Sequence, residues 1–339
     1  MTSKELVLST LEFRNTTGRV PRQLWQLPWA NIHYPEMLEK LAKDFEWDFA
    51  GPVTEYAQLP ITKGDPCEVG EYVDEWGCVF TNIHRGIIGE VKHPIVNDDD
   101  WEDADNVHIP EELLSFDIDQ VNTSCAEMKD KFLVAGACPR PFEQLQFIRG
   151  TVNLYMDLMD PPEGMLKFIE KMHDYYCRLL TKWAKTDVDA LGMMDDWGSQ
   201  NDLLINPEIW EKIFMPMYRD YIDIAHSHGK KMFMHSDGNT LRIIPKLIDL
   251  GLDAINSQIF CMGVENLAQF KGKITFWGEI DRQHLIPNGT PQQIDEAVQK
   301  VYDTSGRMAD VSHSVNLVPV QTLTISTASM KSGLLSGKD

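Results

Sequence analysis

The sequence predicts an α/β fold, a (β/α)8 barrel of the TIM type built as one domain with an inserted β-hairpin. Three observations carry this. From Lys131 onward, short apolar runs the length of buried strands alternate with longer segments of helical period. Strands that alternate with helices pair in parallel, and this many units over 339 residues suit a closed barrel better than an open sheet. Several of the apolar runs also end in polar clusters, as expected where strand C-termini gather at one rim.

Taken in order, residues 1–18 read as a polar helical extension, and the barrel as residues 19–309. Val20 to Trp25 is the first strand, followed by the proline-broken aromatic stretch Leu27-Pro28-Trp29-Ala30 and a helix from Tyr34 to Phe45. Between about 72 and 96 the pattern changes to alternating strands around Trp76 to Val79 and Gly86 to Val91, an antiparallel hairpin set into the fold. Asn97 to Asp105 is an acidic, solvated loop. Phe132 to Ala137 is a strand, Pro141 to Ile148 opens a helix, and a long helix runs from Pro162 to Lys185. Ala190 to Met194 is the next strand. Asn206-Pro207-Glu208 combines a capping side chain, a proline at the first position and an acid in the first turn, which starts a helix reaching His228. Met232-Phe233-Met234 is a buried strand that stops at His235-Ser236-Asp237, and Gly238-Asn239 turns the chain into a helix through Leu241 and Ile248. Asp253 to Asn256 and Ile274 to Trp277 are further strands, with a short helix from Glu265 to Phe270 between them. Pro291 to Tyr302 is a last helix.

Composition narrows the function. A hydrophobic share of 43% with 24% charged residues suits a chain that buries a core. A formal charge of −21 argues against nucleic-acid or membrane partners, because the field repels phosphates. Six scattered cysteines without a CxxC fit free thiols in a reducing compartment, and no apolar run marks a signal peptide or a membrane span. A cytoplasmic location is expected.

Four strand ends are polar: Asp195/Asp196, His235/Asp237, Asn256/Gln258 and Glu279/Asp281. His235 and Asp237, two residues apart, project to the same side of the sheet. Any one carboxylate at a strand end can be no more than a helix cap, Asp281 above all. Four ends together mark a site. One imidazole among carboxylates holds a divalent metal, zinc being favoured by histidine. Equally, paired carboxylates with one raised pKa do acid/base work without a metal. Composition leaves both open.

The motifs Val73-Asp74-Glu75-Trp76-Gly77-Cys78, Asp195-Asp196-Trp197-Gly198-Ser199-Gln200, His235-Ser236-Asp237-Gly238-Asn239, Glu265-Asn266-Leu267 and Phe276-Trp277-Gly278-Glu279-Ile280-Asp281 resemble the uroporphyrinogen decarboxylase superfamily. The resemblance implies a (β/α)8 barrel with its cleft at the strand C-termini. True decarboxylases of that superfamily carry an arginine-bearing R-Q-A-G-R-Y segment for substrate carboxylates. The comparable stretch here, Trp25 to Asn31, has no arginine, and Arg22 is the one nearby candidate. The chain is therefore similar to the other branch, corrinoid-dependent methyltransferases and O-demethylase components. That resemblance implies methyl transfer between a corrinoid carried by a partner protein and a small acceptor, at a zinc site. His235 and Asp237 are the expected metal ligands, with Asp237 standing where the branch has cysteine. Glu279 and Asp196 are the expected catalytic groups, and Trp25, Asp195, Gln200, Asn256 and Trp277 the expected substrate contacts. The alternatives are a metal-free decarboxylase of a porphyrinogen and an inactive relative.

Residues 310–339 depart from the family pattern, whose last strand carries a second cysteine. Permissible codons for His313 to Ala328, read one base earlier, spell A-Q-C-E-F-G-P-G-A-N-P-D-N-I-Y-S, which is how such chains end. The tail therefore reads as a frameshift product, with the eighth strand corrupted and the chain poorly ordered after Gly306.

Overall fold

The strands of the computed structural model, which describes residues 1–305 and 311–317, are in chain order β1 (Arg22–Gln26), β2 (Phe49–Ala50), β3 (Gly70–Val73), β4 (Val79–Asn82), β5 (Glu90–Val91), β6 (Phe132–Leu133), β7 (Ala190–Met194), β8 (Lys231–Ser236), β9 (Ala254–Ser257), β10 (Thr275–Gly278) and β11 (Val311–Leu317). Eight of them follow one another around a ring in the order β1, β2, β6, β7, β8, β9, β10, β11 and back to β1. Continuous parallel ladders join β7 through β11 and close β11 onto β1, while β2 pairs with β6. Shorter links carry the two remaining junctions. The Asp48 N–H donates to the Arg22 carbonyl between β1 and β2, and Val134 bridges to Ala190 between β6 and β7.

The helices are α1 (Ser3–Leu11), α2 (Pro28–His33), α3 (Pro35–Asp44), α4 (Ile118–Glu127), α5 (Pro141–Arg149), α6 (Thr151–Met159), α7 (Glu163–Ala184), α8 (Pro207–Ser227), α9 (Ile244–Asp249), α10 (Leu285–Asn288) and α11 (Pro291–Ser305). The start expected at Asn206 holds, with its side chain accepting from the Glu208 N–H. The buried face of α8 is led by Trp210, Phe214, Tyr218 and Tyr221, and Ile209 and Ile224 sit at its margin. The inserted antiparallel element is present as the three-stranded β3–β4–β5, with Trp76 in the turn between β3 and β4 and the expected strand from Gly86 reduced to Glu90–Val91.

Period two sorts the strand residues. Phe49, Phe132, Ala190, Phe233, Ala254 and Trp277 form one apolar layer inside the ring. Their neighbours Leu191, Met193, Met232, Met234, Ile255 and Phe276 belong to the larger core shared with the helices. Three aspartates just before strands tie the ring together, since each accepts a backbone N–H of the preceding strand. Asp48 takes Arg22, Asp189 takes Leu133 and Asp253 takes Met232.

Two expectations need correction. The N-terminal segment read as a polar helical extension does form a helix, but that helix packs on the barrel. A capping box between Thr2 and Glu5 starts α1, and its Val7 and Leu11 pack onto the interior layer at the end of the ring where the strands begin. Burying each of those side chains is worth about 1.5–3 kcal/mol. Nor is the eighth strand lost: Val311–Leu317 occupies its place between β10 and β1, with Gln23 opposite Ser314 and Leu24 opposite Val315. A run of β-branched and small polar residues suits a pleated strand whatever frame produced it. The rest of the segment read as an aberrant tail lies outside the described residues.

Candidate functional site

The strands lift three side chains to the rim where they end. Met194 of β7 is opposite His235 of β8, and His235 is opposite Asn256 of β9. Two residues past Met194 on the interior parity is Asp196; two past His235 is Asp237. His235 Nε2 lies 3.7 Å from Asp196 Oδ1 and 3.7 Å from Asp237 Oδ1, and one donor atom from each of the three falls within 4.8 Å of the others.

Asn256 sets the imidazole. Its Nδ2 donates to the Trp277 carbonyl, which turns Oδ1 toward His235 Nδ1 at 2.6 Å. Nδ1 therefore carries the proton, and the Nε2 lone pair faces the two carboxylates, as a metal-ligating histidine requires. The Asp237 N–H donates to Asp196 Oδ1 at 2.8 Å.

The loops after β7 and β8 are locked together by two glycines. The Gly198 N–H donates to the Asp237 carbonyl, and the Asn239 N–H donates to the Ser199 carbonyl. A Cβ on Gly198 would sit 2.2 Å from the Asn239 nitrogen, and Gly238 adopts φ +77° with Gly198 against it. Only glycine permits this approach. Asp196 and Asp237 are held by this contact.

The field at the rim is negative. Burial and the Asp237 carboxylate push the Asp196 carboxyl above its ordinary value, with His235 working the other way. Burial also raises Glu143, which Arg140 offsets and Asp196 and Asp237 reinforce. Arg282 pairs with Asp237 and, through Nε at 3.2 Å, with Glu279. Burial works against the Arg282 charge, but Glu279 and Asp237 outweigh it and hold its pKa above the usual range. One oxygen of Asp237 thus faces His235 and the other faces Arg282. Among the described residues Glu143 Oε2 is buried without a hydrogen-bond partner, 3.7 Å from Arg140 Nη1. A nitrogen lone pair facing two carboxylates in a negative field fits a divalent cation.

A cavity of about 900 Å³ opens in front of this group, lined by Leu24, Trp25, Leu27, Trp47, Met194 and His235 among others. Trp25 lies beside His235, with ring centroids 5.3 Å apart, and meets Trp277 edge-on. A smaller recess holds Gln200, Gln258, Glu279 and Asp281, and Arg282 forms a wall of both.

Several expected site residues sit elsewhere. Asp195 has the outward parity of Leu191 and Met193. It is fully buried, accepting from the Phe142 and Glu143 N–H groups and the Tyr218 hydroxyl, so it caps α5 and does not line the cavity. Trp277 is 5% exposed in the interior layer, stacked on Phe49 beneath the rim. Asn256 is buried behind His235. Gln200 and Glu279 line the recess. Asp281 caps the next turn through the Gln283 and His284 N–H groups. Arg22 lies over the Phe45 ring and does not line the cavity. Arg282 and Glu143 went unread. Arg282 lies past the end of β10, three residues after Glu279, and Glu143 is in the first turn of α5, places that carry no motif in the sequence.

No helix among the described residues is long and apolar enough to cross a membrane. Comparison with known proteins places the chain. Residues 76–318 match the family described as uroporphyrinogen decarboxylase (URO-D). Two curated relatives, the methylcobamide:CoM methyltransferases MtbA of Methanosarcina acetivorans and of Methanosarcina mazei, are each 21% identical over 216 residues, 63% of this chain. The chain spans 62% of the length of these relatives. A solved methyltransferase from Methanosarcina mazei shares the fold, at TM-score 0.65 and 11% identity over 99% of both chains. With the family match covering well over half of its length and taking in β11, this chain belongs to the uroporphyrinogen decarboxylase family, on the side of it that resembles the methyltransferases.

Proposed function

We propose that the chain is a methyltransferase that moves a methyl group between a corrinoid carried by a separate protein and a small acceptor, at a metal held by Asp196, His235 and Asp237. The observation that carries this is the donor group itself: an imidazole nitrogen fixed by Asn256 and facing two carboxylate oxygens at 3.7 Å, in a chain of this family. Zinc held there would keep an acceptor deprotonated and so ready to take an electrophilic methyl group.

The residues of the chain do the rest. His235 and the two aspartates fix the position of the acceptor. Arg282 takes up part of the negative charge that Asp237 and Glu279 bring, so the site tolerates an anionic acceptor. Leu24, Trp25, Leu27, Trp47 and Met194 form an apolar wall that limits water at the transfer position, which strengthens charge interactions there. Oxygen from Asp237 in place of a thiolate makes a harder ligand set and a stronger Lewis acid, so the acceptor need not be a thiol. Glu279, within reach of Arg282, is proposed as the group that takes or returns the acceptor proton. A porphyrinogen with many carboxylates is disfavoured, because Arg282 is already paired with two acids.

Metal analysis combined with a methylcobalamin demethylation assay over a panel of thiol, amine and hydroxyl acceptors tests this. Loss of the methyl–cobalt absorbance should depend on added Zn²⁺ and vanish in His235→Asn. Metal-independent decarboxylation of a porphyrinogen, with no demethylation, would overturn it.

A further inference from the structure

A second group of metal-ligating side chains lies far from the rim, on the outside of the barrel. His173 and Cys177 are one turn apart on α7, which puts them on one face, and Asp220 comes from the adjoining α8. His173 Nε2 is 2.9 Å from Asp220 Oδ2, and Cys177 Sγ is 3.6 Å from the same nitrogen; one donor atom of each lies within 4.8 Å of the others. From this geometry we propose that His173, Cys177 and Asp220 form a second divalent-metal site, of the zinc class, that clamps α7 to α8.

The spacing is that of a ligand shell. Zinc–sulfur and zinc–nitrogen bonds of about 2.3 and 2.0 Å at a tetrahedral angle separate S and N by roughly 3.5 Å; Cys177 Sγ is 3.6 Å from Nε2 but also 3.7 Å from Nδ1, so a rotation of the thiol toward the Nε2 side completes the shell. The N···O distance is that of a hydrogen bond and must open by a few tenths of an ångström, which the exposed Asp220 side chain permits. His173 Nδ1 lies 3.3 Å from the Tyr221 hydroxyl, the kind of partner that orients a ligating imidazole from behind. A sulfur, a nitrogen and an oxygen select a borderline-soft cation over magnesium or calcium. A core thiol beside a surface His–Asp pair is the plain alternative, and it makes no thiolate.

The site is distinct from the rim in chemistry as well as in place, because the three rim ligands include no sulfur. That makes the test independent of the proposed methyl transfer. Co²⁺ titrated into the full chain should give a thiolate-to-cobalt absorption band, and Zn²⁺ should displace it. The band should be lost in Cys177→Ser and in His173→Gln and retained in His235→Asn. Zn²⁺ should slow maleimide labelling of Cys177 and raise the melting temperature of the parent chain by more than that of Asp220→Asn. Asp220→Asn changes an exposed side chain and so guards against misfolding as the cause. Absence of a thiolate band in the parent, or its persistence in a folded Cys177→Ser chain, would overturn the proposal.

Discussion

Asn256 decides which nitrogen of His235 meets the cavity. Its amide is anchored from below by the Trp277 carbonyl and presents its oxygen to Nδ1 at 2.6 Å, on the side of the ring away from the two aspartates. Removing that anchor should free the imidazole to rotate. Asn256→Ala is expected to weaken Zn²⁺ binding by about 10–100-fold, the usual cost of losing such a partner. The unpaired Trp277 carbonyl should cost about 1–3 kcal/mol in stability. Zn²⁺ competition titration and urea unfolding of the same preparation measure both; unchanged affinity would show that Asn256 does not govern the ring.

Gly198→Ala should be among the harmful single-methyl changes in the chain. The new Cβ meets backbone atoms of Gly238 and Asn239 at 2.4 and 2.2 Å, and backbone has little room to yield. Destabilisation of about 1–3 kcal/mol is expected, together with weaker metal binding, because the loop carrying Asp237 must shift. Gly51→Ala is the control, since its Cβ would make ordinary contact with Val134 at 3.6 Å. Equal unfolding midpoints for the two variants would refute the interlock.

Asp74 gives the pH dependence. Burial raises its carboxyl from 3.8 to about 6, although the Trp76 and Cys78 N–H groups donate to it. A raised carboxyl ionises in the unfolded chain first. Its penalty is therefore absent below about pH 4, grows between 4 and 6, and is fully present above 6, reaching about 3 kcal/mol. Asp74→Asn keeps an acceptor for both N–H groups and should be the more stable chain above pH 6, the gain fading toward pH 4. Denaturant midpoints at pH 4, 5, 6 and 7.5 decide it; a constant difference across that range would count against it.

For the tail we propose a displaced reading frame. Sequencing the gene across Arg307 to Ser314 should reveal a one-base slip, and the repaired chain would carry a cysteine near Ser314 or Val315 in the eighth strand. That chain should bind Zn²⁺ more tightly and melt at a higher temperature. An intact frame in the gene would end the idea.

The barrel was legible because strand length and helical period survive wherever packing is two-sided, as in Ala190 to Met194, read to the residue. What failed were short or externally supported pieces. β2 is two residues long, too brief to show a period, and Asp48 beside it matters through a backbone link that composition does not display. Helix α1 looked polar because only Leu6, Val7 and Leu11 turn inward with a few small neighbours. At the site, parity read for His235 and Asp237 was not carried to the strand before them. Asp196 shares the phase of Ala190 and Met194, and Asp195 that of Leu191, so counting in twos would have sent one to the cavity and the other under α5. Arg282 could not be found that way, since it lies past the strand in a loop whose path only the fold defines.

The aromatic layer of Phe49, Phe132, Phe233 and Trp277, sealed from beneath by Val7 and Leu11, makes the chamber blind-ended on that side. A small molecule held at His235 would therefore enter and leave by the rim where the strands end.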